Sequence, residues 1–199
     1  VGLVFTAIIQ SSSASTALVV SFVNAGLMNL YQASGIILGA NIGTTATGLL
    51  MTFNLSEIAP LFVFIGVIMM QFMKGDTIKK VGQIILGFGV LFVGLSSMSA
   101  AMKVLKDSPI IVNLLTGLDN PILAVLIGCG ITAVLQSASA MVGILIVLAG
   151  QGLVSLEMAF YLTLGCNIGC TITAIIASIG GTQNAKRAAA IHLIVNIIG

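Results

Sequence analysis

Charge is what this sequence has least of: among 199 residues there are 7 Lys and Arg and 5 Asp and Glu, and no charged side chain precedes Glu57. Soluble globular chains carry roughly 25% charged residues, whereas this one carries 6% with a mean hydropathy of +1.22. That composition belongs to an integral membrane protein. A net charge of +2 scattered along the chain offers no basic face, which excludes a nucleic-acid binder. Cysteine is scarce as well. Cys129, Cys166 and Cys170 cannot build a disulfide framework, and a C-x3-C pair without further ligands is a poor zinc site, so all three read as small packing residues. The apolar N-terminus lacks the basic first region of a signal peptide and opens on Val1 rather than Met, so the chain reads as a fragment.

The few charges punctuate long apolar runs and mark the loops. A helix needs about 20 apolar residues to cross ~30 Å of hydrocarbon, which predicts single crossings near 31–53, 57–73, 81–103 and 154–178, with 188–199 beginning another. Two stretches do not fit. Residues 1–26 are interrupted by Gln10-Ser11-Ser12-Ser13, and residues 121–152 by Gln136-Ser137-Ala138-Ser139. Each interruption leaves apolar arms too short to span. Two such arms around a polar turn predict a re-entrant helical hairpin, whose irregular backbone is tolerated at membrane depth only inside protein or beside a watery cavity. The alternative is a plain helix whose serines bond back to the preceding turn.

Sliding the chain on itself by 126 residues aligns Gln10 with Gln136 and Asn41 with Asn167 without a gap. Residues 1–50 and 127–176 then share 18 identical pairs, among them Thr6/Thr132, Ser11/Ser137, Ser13/Ser139, Gly39/Gly165, Gly43/Gly169, Thr45/Thr171 and Thr47/Thr173. The shared residues are largely polar or Gly, which are costly in lipid, so the repetition follows function more than packing. Three predicted crossings separate the two hairpins, and an odd number inverts the second copy. The expected fold is therefore an all-α polytopic membrane protein with two inverted-topology repeats, each a re-entrant hairpin followed by a broken transmembrane helix. It forms one transport domain over 1–199, with repeat 1 at about 1–73, a linking span at about 81–103 and repeat 2 at about 120–199. Lys74, Lys79, Lys80, Lys186 and Arg187 gather on one side with Asp76, while Lys103 and Lys106 share the other with Glu57, Asp107, Asp119 and Glu157. The first side is the cytoplasmic one by the positive-inside rule.

In each hairpin the second arm begins just after the serines, so its unpaired N–H groups and positive dipole end face the turn, as an anion site requires. The segments Gly39-Ala40-Asn41-Ile42-Gly43-Thr44-Thr45-Ala46-Thr47 and Gly165-Cys166-Asn167-Ile168-Gly169-Cys170-Thr171-Ile172-Thr173 put paired glycines in mid-span. They predict an unwound helix whose carbonyl, Asn and Thr oxygens suit a small hard cation such as Na⁺; close packing is the other use of such glycines. No Lys, Arg, Asp or Glu lies in these four motifs. A buried anion there must be offset by helix ends and co-bound cations, a physical reason to expect cotransport.

With its duplicated Gln-Ser-Ser-Ser turn, each copy followed at the same spacing by Gly-x-Asn-Ile-Gly, the chain resembles the type II sodium/phosphate cotransporter family. The resemblance implies sodium-driven symport of inorganic phosphate in a cell membrane, expected to be a bacterial inner membrane, by a transporter with no enzymatic activity and no cofactor beyond Na⁺ as coupling ion. It implies phosphate at Gln10, Ser11, Ser12, Ser13, Gln136, Ser137 and Ser139. It implies sodium, the sole metal, at Ser15, Asn41, Thr44, Thr45, Thr47, Asn167, Thr171 and Thr173. Ala138 in place of a second-turn serine and Cys170 in place of a Thr make the half-sites unequal. Another oxyanion, sulfate or a small carboxylate, is the rival substrate. A channel fits inverted hairpins less well than alternating access, and a serine hydrolase lacks a base, since the sole histidine, His192, lies in the last apolar segment. Lipid is an expected partner, and a homo-oligomer stays open.

Overall fold

The computed structural model describes residues 1–53, 55–106 and 120–198, without the side chains of 102–106. Its described elements are helices: α1 (Gly2–Ile9), α2 (Ser12–Asn24), α3 (Leu30–Thr52), α4 (Ala59–Phe72), α5 (Asp76–Lys106), α6 (Pro121–Leu135), α7 (Ala138–Gly150), α8 (Leu156–Gly169), α9 (Ile172–Ala177) and α10 (Gln183–Ile198). Asp107 and Asp119 lie outside the described residues.

The duplication is written into the backbone. Gln10 ends α1 in the left-handed region (φ 60°, ψ 23°) and Gln136 ends α6 in the same way (φ 54°, ψ 24°). They are the only described non-glycine residues with positive φ, a conformation that L side chains seldom adopt. In both turns the Gln N–H donates to a threonine carbonyl, of Thr6 or Thr132, at 2.7 Å. The next residue, Ser11 or Ser137, is extended and caps the following helix. Further on, Gly26 (φ 73°) and Gly152 (φ 69°) close α2 and α7. Leu27 N–H there bonds Phe22 O and Leu153 N–H bonds Leu148 O, the six-residue closure of a helix C-terminus. Asn29 and Ser155 then cap α3 and α8.

Three helical stretches are long and apolar enough to cross a membrane: Leu30–Thr52, Asp76–Ala101 and Leu156–Ala177. The expected crossing at 57–73 is shorter than predicted. Pro60 sits in the first turn of α4, which holds 14 residues, about 21 Å at 1.5 Å per residue. It packs closely on α5, with Gly66 against Leu86 and Gly82 against Met69, while Phe88 makes edge contacts with Phe62 and Phe92.

The expected break after Gly39 is absent, for α3 runs unbroken through 23 residues. Its glycines admit a neighbour instead. A Cβ on Gly39 would lie 2.7 Å from Leu3 N, and one on Gly43 2.6 Å from Leu3 O, so α1 lies backbone to backbone along α3. Gly165 and Gly169 bring α8 against Val125 and Cys129 of α6 in the same way. An intact helix keeps its carbonyls bonded where water is lacking, and small residues supply the close approach that membrane helices use. The second copy shows a slight interruption: Cys170 and Thr171 keep helical dihedrals, but Thr171 N–H shortens its reach to Ile168 O (3.1 Å) before α9 starts.

The two copies interlock. The end of α3 packs on α7, where Met51 underlies Gly143, and the corresponding piece of copy two, α9, packs on α2. One buried cluster joins Val19, Val20 and Val23 of α2 with Ala33 and Ile37 of α3, Ala174 of α9 and three alanines of α10. A second joins Ala124, Met141, Leu145, Leu162 and Cys166 across α6, α7 and α8. Large apolar side chains such as Phe64, Phe72, Ile84 and Val134 face outward, which together with the long apolar helices supports a membrane protein.

Candidate functional site

The two hairpin turns and the two Asn-Ile-Gly segments meet. A cavity of about 290 Å³ is lined by Ser12 and Ala138, the first residues of α2 and α7, together with Asn41, Thr44, Asn167, Cys170 and Asn196. Six of these seven are three repeat-related pairs, since Ser12/Ala138, Asn41/Asn167 and Thr44/Cys170 each stand 126 positions apart. A neighbouring cavity of about 350 Å³ shares Asn41, Thr44 and Asn167 and adds Thr45, Thr163 and Ser139. A third, of about 500 Å³, is lined by Gln10, Thr47, Ser137 and Ser139 beside an apolar wall that includes Ile84 and Phe88. No charged side chain lines any of the three.

Electrostatically the site is made of helix ends. Ser11 Oγ accepts Ala14 N–H at 3.2 Å and Ser11 O accepts Ser15 N–H, which leaves the amides of Ser12 and Ser13 without intrahelical partners. Ser137 Oγ accepts Ala140 N–H at 3.2 Å, and the amides of Ala138 and Ser139 are left likewise. Each end presents roughly half a positive charge, so two such ends on one cavity suit an anion. Asn, Thr and Ser oxygens beside them suit a cation. With α3 intact, the Thr44 hydroxyl bonds Ala40 O and the Thr45 hydroxyl bonds Ile42 O, so side-chain oxygens rather than freed carbonyls face the space.

Several residues of the two predicted sets brace the hairpins, most of them without lining a cavity. Ser15 is buried, accepts a hydrogen bond from Thr6 Oγ1 (2.9 Å) and donates to Ser11 O (2.8 Å), tying α2 to α1. Copy two has Met141 at that position, and Thr132 Oγ1 is buried without a hydrogen-bond partner among the described residues, beside the Cys166 thiol. Gln10 bridges outward, its Nε2 donating to Ala7 O and its Oε1 accepting from Thr47 Oγ1 at 2.6 Å. The equivalent bridge is unmade: Gln136 is exposed and Thr173 Oγ1 is buried with no partner. Thr171 is buried and bonds Ile168 O, while Ser13 is buried beside the turn. Ser11, Ser13, Ser15, Gln136, Thr171 and Thr173 line none of the three cavities.

The residue that the repeat logic missed is Asn196 on α10. Asn41 Nδ2 donates to Asn196 Oδ1 at 3.0 Å, and Asn196 Nδ2 donates to His192 O at 2.8 Å. A lone Asn in the apolar run 188–199 was the available signal, since such a side chain is costly in lipid. His192 is fully buried, with no hydrogen-bond partner on either ring nitrogen among the described residues. A fourth cavity, of about 530 Å³, was also unforeseen; it lies between α3, α5 and α7 and has Ser56, Ser96, Ser99 and Gln151 on its wall.

The family model described as Na⁺/Pi-cotransporter matches this chain twice, over residues 1–100 and again over 97–199, which together cover the whole sequence. The chain is 32% identical to a Bacillus subtilis (strain 168) protein named "Uncharacterized protein YqeW", aligned over all of this chain and 65% of that one. It is 31% identical to the Escherichia coli (strain K12) protein named "Putative inorganic phosphate export protein YjbB", over all of this chain and 37% of the relative. A shorter match, 43% over 81 residues, is to the human "Sodium-dependent phosphate transport protein 2B", covering 39% of this chain and 12% of that protein. The chain thus spans about two thirds of the first relative and little more than a third of the second. No solved structure matches it.

Proposed function

Because the chain belongs to the Na⁺/Pi-cotransporter family, a family of transporters and not of enzymes, we propose that the protein carries inorganic phosphate across a membrane coupled to Na⁺. The observation that carries this reading is the cavity shared by Ser12, Ala138, Asn41 and Asn167, where the N-termini of α2 and α7 and an Asn from each copy face one space. Phosphate sits against the free amides of the two helix ends, with the Ser12 hydroxyl on one side and Ser139 nearby. Sodium sits among the Asn and Thr oxygens, and its charge offsets an anion that no side-chain cation meets.

The transport cycle is alternating access by two inverted repeats. The matched Gln10 and Gln136 turns and the reciprocal packing of α3 on α7 and α9 on α2 support the pairing. Inversion requires α4 to carry the chain back across the membrane between α3 and α5. The exposed Lys74–Lys80 segment and Lys186–Arg187 at the start of α10 then share the cytoplasmic face of a bacterial inner membrane. Net direction follows the gradients, so the same coupling runs as uptake or, as the name of the Escherichia coli relative has it, export.

The test is uptake of labelled phosphate by the complete protein in proteoliposomes. An inward Na⁺ gradient is expected to drive accumulation above equilibrium and an outward one to drive efflux. Equal uptake with choline in place of Na⁺ removes the coupling. Stronger competition by sulfate than by unlabelled phosphate transfers the site to another oxyanion.

A further inference from the structure

We propose that Asn196 is a positioning residue for cation coupling: it holds the Asn41 carboxamide so that its carbonyl oxygen, and not its NH2 group, is offered to the cation. This rests on the reading above that Asn41 meets Na⁺. The orientation follows from a chain of obligatory donors and acceptors. His192 O is a carbonyl and can only accept, so the Asn196 group that faces it at 2.8 Å must be the NH2. That turns Asn196 Oδ1 toward Asn41, and the Asn41 group facing it at 3.0 Å must in turn be its NH2. With its NH2 engaged, Asn41 has its Oδ1 left as an acceptor, and the residue lines both central cavities.

The relay belongs to one copy only. The residue 126 positions before Asn196 is Met70, on α4, which packs against α5 rather than on the hairpins. Asn167, the partner of Asn41 by repeat, lines the same cavity but has no such amide anchor among the described residues. Its carboxamide is free to turn either face to a ligand. The pseudo-symmetric pair is thereby divided into a committed acceptor at 41 and an uncommitted amide at 167, a division that the two near-identical Asn-Ile-Gly segments do not contain. Outer partners of this kind orient a ligating group without touching the ion.

The test measures Na⁺-dependent phosphate uptake by the complete protein in proteoliposomes. Asn196→Leu removes the relay at similar volume and is expected to raise the Na⁺ concentration for half-maximal uptake about tenfold, as loss of an outer partner typically does. Asn196→Asp keeps an acceptor for Asn41 while giving up the donor to His192 O, and is expected to recover part of that loss. Asn41→Asp presents an acceptor whichever way it turns, so adding Asn196→Leu to it is expected to raise the Na⁺ requirement by less than about twofold, the mark of coupled positions. An unaltered Na⁺ requirement in Asn196→Leu, or the same rise in both backgrounds, overturns the positioning role and leaves the sodium reading in place. Should Asn196→Leu fail to fold, Asn196→Asp decides alone, and a Na⁺ requirement raised as far as in Asn41→Ala overturns the role. Na⁺ dependence that survives Asn41→Ala overturns both readings.

Discussion

Replacing Gly39 with alanine separates the two uses of a mid-helix glycine. The added Cβ would stand 2.7 Å from Leu3 N and 3.2 Å from two atoms of Gly2, all of them backbone, so no side chain can swing away. Forcing a methyl into such a contact costs typically 1–3 kcal/mol, about the cost of overpacking a core. Alanine also gains up to about 1 kcal/mol over glycine in helix propensity, and a control is needed to subtract that gain. Gly35 provides it: one turn earlier in α3, it has nothing within 4 Å of an added Cβ. Gly35→Ala is expected to leave the protein as stable as before or slightly more so, and Gly39→Ala to fall below it by about 1–3 kcal/mol. Thermal unfolding of the two variants side by side in one detergent measures the difference. Because α1 leads into the Gln10 turn, phosphate binding is expected to weaken with stability. Equal stability of the two variants would refute the close approach of α1 and α3. A Gly39→Ala variant of full stability that has lost only its Na⁺ response would revive an unwound helix at that point.

Three further outcomes are expected. Ser12→Ala removes the hydroxyl that lines the central cavity from one turn, and since a hydrogen bond to a charged group is worth about 1.5–3 kcal/mol, phosphate affinity measured by calorimetry should fall roughly tenfold to a hundredfold; unchanged affinity moves the anion elsewhere. No titratable side chain lines the central cavity apart from the Cys170 thiol, so the pH dependence of transport follows the substrate, whose second ionisation lies near neutrality by analogy with phosphate monoesters at about pH 6. His192→Gln should therefore keep the wild-type pH profile of uptake, and a flattened profile would make His192 a participant. Cysteines introduced at Lys79 and Glu157, both exposed, in a background without the native thiols should react with impermeant reagents from opposite faces of the membrane. Labelling of both from one face would break the inverted arrangement.

The turns were legible in the sequence because Gln and Ser runs are costly in an apolar chain, and their recurrence 126 residues on could be checked pair by pair. The conformation at their heart was not, since a left-handed glutamine leaves no compositional trace; Gln10 and Gln136 adopt it between an α1 or α6 carbonyl that accepts their N–H and the capping serine that follows. The glycines of α3 mislead for a related reason. A glycine looks the same in a break and in a close contact, and the decider at Gly39 is Leu3, 36 positions away. The length of α4 was misjudged because the apolar run between Glu57 and Lys74 does not show that the helix begins only at Ala59, around Pro60. Asn196 lay beyond the compared stretches and pairs with a methionine in the other copy, so repetition, the strongest signal in the chain, concealed it. The bracing roles of Ser15 and Gln10 needed the packing of α1 before they could be distinguished from ligand contacts.

The central claim is that an anion held by helix ends without a side-chain cation depends on a co-bound Na⁺. Linkage makes that dependence mutual, and couplings between sites typically amount to about 1–3 kcal/mol. The direct measurement is the phosphate Kd of the purified protein by titration calorimetry in Na⁺ and in choline at one ionic strength. The account predicts a Kd at least about fivefold lower in Na⁺, with most of that gain lost in Asn41→Ala; a phosphate Kd indifferent to Na⁺ would contradict it.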